Sequence, residues 1–567
     1  MIRFVCKYTP LELFEGFGVS CTRLDPSPVS FDCADSCGHP NLCGYGKAVI
    51  ETVLEGGIDE LVLTDCCDVM RRVYDVLKAS GRLAFLYLLP LPHKSGPAEI
   101  SLLAGELRRL ADAYAQAGGY SFDAAQAEEA CREAERRAAS AVVDGPHISL
   151  TGAHGGKRLY GDVAAVFSLP VTDDTCTGRR DLVLPSGDED FFTRYAEALL
   201  RQGQPCMRML ENGGRNQPEH VAGLIYHTIK FCDYYGFEYR TLRKKEAVPL
   251  LKIETDCTPQ SRDQLATRLE AFAETLHAEV PASASVIHGA LHYVAGVDSG
   301  SASTDAVVMD SERNILGRAI LSTGSGAAAG AERALEAALR EAALSRDALD
   351  CVVTTGYGRR TVGLGEEAVT EITCHAKGAR FLNPQARTVI DIGGQDSKVI
   401  LLDENGKVVN FIMNDKCAAG TGRFLDMMAR TLELSLSEMS ELGLHWKTDV
   451  DISSMCTVFA ESEVVSLVAR NTAPADIIHG LNKAVAGKTV SLVRRLGGRP
   501  AYMMTGGVAR NRGVVGALQE KLGEPIFVCE ESQLCGAIGA ALIALEGRSQ
   551  QSSAKVSVSP ELCGFSR

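Results

Sequence analysis

The sequence is short of positive charge, of aromatic rings and of long apolar runs. Its 72 aspartates and glutamates outnumber 58 lysines and arginines, a net charge of −14. That deficit argues against nucleic acid or an anionic membrane as partner, because both attract clustered cations. Aromatic residues are 6% of the chain, and the lone tryptophan, Trp446, reads as packing. The longest apolar run, 83-LAFLYLLPLP-92, contains two prolines and is far too short to span a bilayer. The first residues lack a signal-type apolar region, so a cytoplasmic location is expected. Apolar and charged fractions of 46% and 23% are those of a globular protein. A length of 567 residues corresponds to roughly two to four domains.

Cysteine, in contrast, is plentiful at 19 residues. In a cytoplasmic chain these are expected as thiols rather than disulfides. Cys131, Cys351 and Cys529 read as scattered buried thiols. Cys33, Cys37, Cys43, Cys66 and Cys67 crowd into one short region, a density that suggests metal or iron–sulfur ligation.

A small-residue stretch, 281-PASASVIHGALHY-293, separates a helical pattern from a new strand. The expected organisation is one lobe over 1–144, a second over 145–280, a linker over 281–292, a third region over 293–547 and a Ser-rich disordered tail over 548–567. The N-terminal half contains an echo, 60-ELVLTDCCDVMRRVYDVLKAS-80 and 223-GLIYHTIKFCDYYGFEYRTL-242. Each copy is an apolar strand, a Cys-Asp pair (Cys67-Asp68, Cys232-Asp233) and a helical pattern. A thiol is thereby placed beyond a strand's carboxyl end, where open α/β sheets bind ligands.

The C-terminal half echoes too. In 294-VAGVDSGSASTDAVVMD-310 and 388-TVIDIGGQDSKVILLDENGK-407, a strand ends in Asp, a glycine turn follows, and a second strand returns. Glycine lets backbone N–H groups approach phosphate oxygens, and a nearby Asp can hold Mg²⁺ through water. A third glycine turn, 503-MMTGGVARN-511, leaves room for a nucleoside. Strands alternate with helical patterns, so the class is α/β. The spaced trio resembles the actin/hexokinase/sugar-kinase superfamily of two-lobe ATPases. The resemblance implies catalytic roles for Asp298, Asp391 and Gln395. It implies nucleotide contacts at Ser299, Gly300, Ser301, Gly393, Gly394, Gly506, Gly507 and Val508.

Two further thiols stand before helical patterns: Cys417 in 412-IMNDKCAAGTGRFLDMM-428 and Cys456 in 451-DISSMCTVFAESEVVSLVARN-471. Phe459, Val464, Leu467 and Val468 would form one buried face of the second helix. A helix N-terminus suits a thiolate or an anionic cluster. A cubane needs four thiolates, and a C2 dimer supplies two from each chain. That explains the lack of a CxxC partner near Cys417.

The motifs VDSGS, DIGGQDSK, NDKCAAGTGRFLD, SSMC…FAESEV and MTGGVARN, over about 294–546, resemble the ATP-dependent activators of 2-hydroxyacyl-CoA dehydratases and the ATPase subunits of benzoyl-CoA reductases. The resemblance implies a [4Fe–4S] cluster bridging a homodimer through Cys417 and Cys456. Members often have Lys where Asp305 stands. Residues 1–280 resemble the D-component of those dehydratases and the double-cubane-cluster reductases, through 7-KYTPLELFEGFGV-19, 171-VTDDTCTGRRD-181, 231-FCDYYGFEY-239 and 251-LKIETDCTPQSRDQLATRLEAF-272. That implies an iron–sulfur cluster on Cys43, Cys67 and Cys232. Cys33, Cys37 and Cys66 would either extend it to a double-cubane [8Fe–9S] cluster or be spare thiols. Cys176 and Cys206 match family positions and read as structural. His39, His154 and His375 read as surface or core histidines.

The implied activity is ATP-dependent electron transfer from a ferredoxin or flavodoxin, through the C-terminal ATPase, to the N-terminal cluster. The substrate is a small molecule or an acyl-CoA, or else a separate dehydratase is the acceptor. Two other classes stay open: a small-molecule kinase of the sugar-kinase superfamily and a non-enzymatic ATP-dependent redox sensor.

Overall fold

The structure is a computed structural model. It describes residues 1–39, 41–140, 143–203, 205–209, 220–245, 248–258, 262–277, 292–324, 326–414, 418–452 and 457–556. The chain divides into two compact units, Met1–Leu276 and His277–Arg567. Of the expected linker, only His292 lies among the described residues.

The first unit holds two four-stranded sheets. One contains Ile2–Phe4 (β1), Cys21–Arg23 (β2), Glu60–Thr64 (β3) and Phe85–Leu89 (β4), in the order β2-β1-β3-β4 and parallel throughout. The other contains His147–Gly152 (β5), Val171–Thr175 (β6), Val221–Ile229 (β7) and Leu250–Thr255 (β8). Its order, β6-β5-β7-β8, repeats the first, again all parallel. The repeated order is the doubly wound arrangement that the sequence echo implied. Parallel strands buried on both faces read as apolar runs, as in β3, where Leu61, Val62 and Leu63 have no exposure. In each lobe the strand order reverses at the first strand, between β1 and β3 or β5 and β7, and ligands bind at the carboxyl edge of such switch points.

Arg180 fastens the two lobes at that edge. Its guanidinium pairs with the buried Glu12 at 2.6 and 3.0 Å and donates to the Lys7 and Thr9 carbonyls. Tyr195 donates to the same carboxylate at 2.6 Å. Burial alone would raise Glu12, but Arg180 outweighs it and holds the carboxyl below the usual range. Cutting one partner of a buried pair costs about 3–5 kcal/mol. Arg180→Ala is therefore expected to lower the urea midpoint of the first unit sharply. Because the folded pKa of Glu12 is depressed, its contribution is present above the ordinary glutamate value and lost as pH falls through the lowered one. An acid titration of stability should flatten in that window for Arg180→Ala relative to wild type.

The second unit holds two five-stranded sheets of identical topology. Tyr293–Ser299 (β9), Ser303–Asp310 (β10) and Ile315–Ser322 (β11) form an antiparallel meander, and Leu349–Thr355 (β12) and Glu367–Ala368 (β13) add in parallel beyond β9. Thr388–Ile392 (β14), Ser397–Leu402 (β15), Val408–Asn414 (β16), Tyr502–Thr505 (β17) and Ile526–Phe527 (β18) repeat the pattern. This is the duplicated two-lobe fold of actin/hexokinase-like ATPases. Helices Glu371–Leu382 and Cys535–Val556 pack together. The second runs on to Val556. No helix of the described residues is long and apolar enough to cross a membrane.

Candidate functional site

In the second unit the paired hairpins face each other. Asp298 lies on β9 and Asp391 on β14. A Cβ on Gly394 would stand 2.7 Å from the Ala302 Cβ and 3.4 Å from the Ser301 Oγ. The two glycine turns are thus in contact distance across the cleft, and only glycine permits the approach. The third turn closes the same end. Gly506 has φ +81°, and a Cβ there would strike the Ile392 carbonyl and the Asp391 carboxylate. Thr505 donates to Asp391 Oδ1 at 3.0 Å. Gly507 begins a short 3-10 turn in which Val508 is buried.

The facing register positions of the two hairpins differ in charge. Asp391 faces Lys398, whose buried ammonium lies 3.3 Å from Asp391 Oδ2, 2.8 Å from Asp396 Oδ2 and 3.6 Å from Glu371 Oε1. Asp298 faces Asp305 instead. Burial, and then the Asp298 charge, push the Asp305 carboxyl up to about 8. Asp305 Oδ1 and the Ser299 Oγ are buried without a hydrogen-bond partner among the described residues. Carboxylate and hydroxyl oxygens with unused acceptor capacity are the donors Mg²⁺ takes, so the residues fit a Mg²⁺-polyphosphate. Asp298 and Asp391 would face the metal's waters, and the turns Ser299–Ser301 and Gly393–Gly394 would offer N–H groups to phosphate. His375 belongs here too, buried with one ring nitrogen 3.6 Å from Asp298 and the other 3.6 Å from Asp391. The sequence alone reads it as an ordinary surface or core histidine. Lys398 is legible there as the last letter of DIGGQDSK, but its role is not.

Cys417 and Cys456 lie outside the described residues. The elements that follow them do not. The helix Gly422–Thr431 docks on the second phosphate turn: Gly422 N donates to the Gly393 carbonyl and Arg423 N to the Gly394 carbonyl, both at 2.8 Å. With its amide turned so that oxygen rather than nitrogen faces the guanidinium, Gln395 accepts from Arg423 Nη2 at 2.8 Å. The helix Thr457–Ala469 buries Ala460 and Val464 and half-buries Leu467. Phe459 and Val468, expected on that buried face, are 69% and 47% exposed, as are Val458 at 64% and Val465 at 53%. The seam runs through 460, 464 and 467, a helical spacing, so the opposite apolar face is left uncovered in the single chain.

In the first unit the thiols gather at strand ends. Cys6 follows β1, Cys66 and Cys67 follow β3, Cys176 follows β6, Cys232 follows β7 and Cys257 follows β8. Cys43, Cys67 and Cys232 each begin a helix: Gly44–Glu55, Asp68–Ser80 and Asp233–Lys245. The Cys43 Sγ accepts from Gly46 N at 3.5 Å. A Cβ on Gly44 would stand 2.3 Å from the Asp256 carbonyl, so glycine there lets the helix start press against the loop after β8. Burial pushes Cys43 up to about 12 and Cys232 up to about 11, and each of the two also feels Cys67. Cys66 contacts both Cys6 and Cys67 and is pushed well up by them, while its hydrogen bonds draw Cys6 down to about 6 and Cys67 to about 7. Half-buried Cys176 and buried Cys206 feel Cys6, and Cys257 feels Cys43. Sequence reasoning misses Cys6 and Cys257 and takes Cys176 and Cys206 for structural thiols. A Cys just after an apolar strand is the signal that could find Cys6, Cys176 and Cys257, whereas Cys206 lies between the helix Phe191–Leu200 and the turn Met207–Met209.

Cys33 and Cys37 stand apart, on the short helix Asp32–Cys37. Cys33 is raised by the Glu51 carboxylate, and Cys37 donates to the Cys33 carbonyl at 3.1 Å. No contact among the described residues links either to the other thiols. Nor do three His, Cys, Asp or Glu side chains among the described residues converge as ligands of one ion would.

The sequence model of the BadF/BadG/BcrA/BcrD ATPase family matches residues 295–544. That of the 2-hydroxyglutaryl-CoA dehydratase D-component matches residues 6–142 and 126–276. The 2-hydroxyisocaproyl-CoA dehydratase activator of Clostridioides difficile is 44% identical, over 45% of this chain and 95% of its own. The (R)-2-hydroxyglutaryl-CoA dehydratase activating ATPase of Acidaminococcus fermentans is 45% identical, over 44% of this chain and 96% of its own. The solved structure of the 2-hydroxyisocaproyl-CoA dehydratase activator from Clostridium difficile with bound ADPNP is 41% identical, covers 48% of this chain and 100% of that one, and has a TM-score of 0.45. The chain belongs to the BadF/BadG/BcrA/BcrD ATPase family through its C-terminal unit, and its N-terminal residues match the sequence model of the 2-hydroxyglutaryl-CoA dehydratase D-component.

Proposed function

We propose that this chain couples ATP hydrolysis to low-potential electron transfer. The C-terminal unit, as a homodimer, accepts an electron from a ferredoxin or flavodoxin and delivers it to iron–sulfur-bound thiols of the N-terminal unit or to a separate dehydratase. The observation that carries the reading is the bonded turn at Gly393–Gln395. It ties a phosphate-sensing loop to the first residues of the helix that begins just after Cys417. Any movement of the turn on nucleotide binding must move that helix start. A nucleotide biases such an element only by its difference in affinity for the two positions.

Iron–sulfur clusters supply one-electron chemistry, at a potential set by charge, hydrogen bonds and solvent exposure. The chain's own part is to hold thiolates at helix starts, where the helix field and free N–H groups favour them. Cys43, Cys67 and Cys232 have that placement. The uncovered face of Val458, Phe459, Val465 and Val468 supports a second copy beside Cys456, since contiguous exposed apolar area marks an interface. Joining both units in one chain raises their effective concentration for each other.

The test uses anaerobically purified full-length protein. On adding reduced ferredoxin, the EPR signal of the reduced N-terminal cluster is expected only with MgATP. Equal reduction without nucleotide removes the coupling. A protein with no iron or sulfide returns the small-molecule kinase reading.

A further inference from the structure

Two buried guanidinium groups reach the carboxyl edge of the first unit's strands, and they are partnered differently. Arg180 gives its fork to the Glu12 carboxylate and to the Lys7 and Thr9 carbonyls. Arg208, in the short turn Met207–Met209, has a side chain only 4% exposed. Its Nε and Nη1 are nevertheless without a hydrogen-bond partner among the described residues. Those two nitrogens carry most of the five guanidinium N–H donors. Among the described residues only Nη2 is used, on the Leu91 carbonyl at 3.0 Å and beside His93 Nε2 at 3.1 Å. The carboxylate beside it, Asp65, stands 3.9 Å away and is shared with Arg71 at 3.2 Å. A buried cation with unused donors is costly, because it has given up water without a replacement. Its place in the fold is that of the thiols. Leu91 follows β4, and Asp65 follows β3 directly before Cys66 and Cys67. Two residues before Arg208, the Cys206 amide donates to the Tyr8 hydroxyl at 3.3 Å, and Tyr8 lies two residues beyond Cys6. A Cys66 hydrogen bond is the main cause that lowers Cys6 and Cys67, and the Arg208 charge adds to both.

We propose that Arg208 is the counter-cation of the N-terminal iron–sulfur cluster, donating from Nε and Nη1 to the cluster's sulfur atoms. The inference rests on that cluster of the proposed function. Orphaned donors on a buried cation are satisfied by an anionic group with several acceptor atoms, and thiolates with bridging sulfides are such a group. Reduction adds a negative charge, so a desolvated cation stabilises the reduced cluster more than the oxidised one. Hydrogen bonds to cluster sulfur act in the same sense. Arg208 thereby makes this cluster a better acceptor for the electron that the ATPase unit delivers. It is a positioning residue, acting through the cluster rather than on a substrate.

The test compares anaerobically purified full-length wild type, Arg208→Gln and Arg208→Lys. Iron and sulfide are counted, and midpoint potentials are read by EPR during titration with titanium(III) citrate. The N-terminal signal is the one that Cys67→Ser removes and Cys417→Ser leaves; the other cluster's signal is the internal control. Arg208→Gln is expected to keep wild-type iron while the reduction equilibrium of the N-terminal signal falls at least tenfold, roughly 60 mV to lower potential. Arg208→Lys, which keeps the charge but not the fork, should fall by a smaller factor, and the control signal should not move. An Arg208→Gln potential equal to wild type overturns the inference and reduces Arg208 to packing. Equal movement of both signals, or an Arg208→Lys shift as large as that of Arg208→Gln, also overturns it, because the effect then does not come from this charge at this cluster. If neither variant holds iron, wild type labelled with ¹⁵N-arginine decides. Pulsed EPR should show a ¹⁵N coupling on the N-terminal signal, and its absence overturns the inference. Wild type without N-terminal iron and sulfide, or a Cys67→Ser protein that keeps every signal, fails the cluster reading itself, a separate and distinguishable outcome.

Discussion

Asp391→Asn is expected to lower ATP hydrolysis roughly 10²–10³-fold, the scale for losing one electrostatic group at a reacting centre, while leaving iron and sulfide unchanged. Asn is the appropriate replacement. Asp391 is the charge partner of both Lys398 and His375, and it accepts from Thr505. Either replacement removes the charge that faces two buried side chains, but alanine would in addition leave the Thr505 hydroxyl without its acceptor and open a cavity. The amide keeps the Thr505 contact and the volume. Burial raises the Asp391 carboxyl, but His375 and Lys398 outweigh it and hold it below the usual aspartate range. It is thus ionised throughout the working pH range, and acidification should not mimic the variant until well below neutrality. The same substitution should abolish nucleotide-dependent reduction of the N-terminal thiol-bound cluster by ferredoxin. For a one-electron couple roughly 60 mV corresponds to 1.4 kcal/mol. A drop of a few hundred millivolts therefore needs several kcal/mol of differential nucleotide binding, which must pass through the turn Gly393–Gln395. Hydrolysis lost with reduction retained would separate the ATPase from electron transfer.

Much of this arrangement is legible in the amino-acid sequence. The hairpin echo around Asp298 and Asp391 has a period and a chemistry, glycine beside carboxylate, that few other folds need. It places the sheets and the cleft. The Cys-Asp echo at 67 and 232 likewise locates matching strand ends. What stays hidden depends on contacts distant along the chain. His375 lies in the helical stretch 371-EITCHAKGARFL-382, where nothing marks it; only the crossing of that helix beneath both hairpins gives it two carboxylates. The Thr457–Ala469 helix is apolar on more than one face, so its pattern cannot say which face the core takes. Packing chooses Ala460 and Val464, the smaller residues, and leaves Phe459 outside. Crowding in sequence is also a poor guide to crowding in space. Cys33 and Cys37 are close to Cys43 along the chain but belong to a short helix set against Glu51, whereas Cys6, Cys176, Cys206 and Cys257 come from four separate loops.

That contrast leads to the second large effect. Cys67→Ser or Cys232→Ser is expected to remove the N-terminal cluster from the anaerobically purified chain, a loss of at least roughly four irons per chain. Serine at either position is a favourable residue before a helix but withdraws the thiolate. Cys33→Ser with Cys37→Ser should leave iron content unchanged, because no contact among the described residues joins either thiol to Cys43, Cys67 or Cys232. Cys66→Ser discriminates between cluster sizes. Its thiol lies against both Cys6 and Cys67. If the unit binds a double cubane, Cys66→Ser or Cys6→Ser should cost about half of the roughly eight irons and alter the EPR line shape of the remainder. If both variants keep full iron, Cys43, Cys67 and Cys232 belong to a single cubane, and Cys6 and Cys66 are reduced thiols at its edge. Should Cys67→Ser itself retain all its iron, the switch-point assignment of the ligands is wrong.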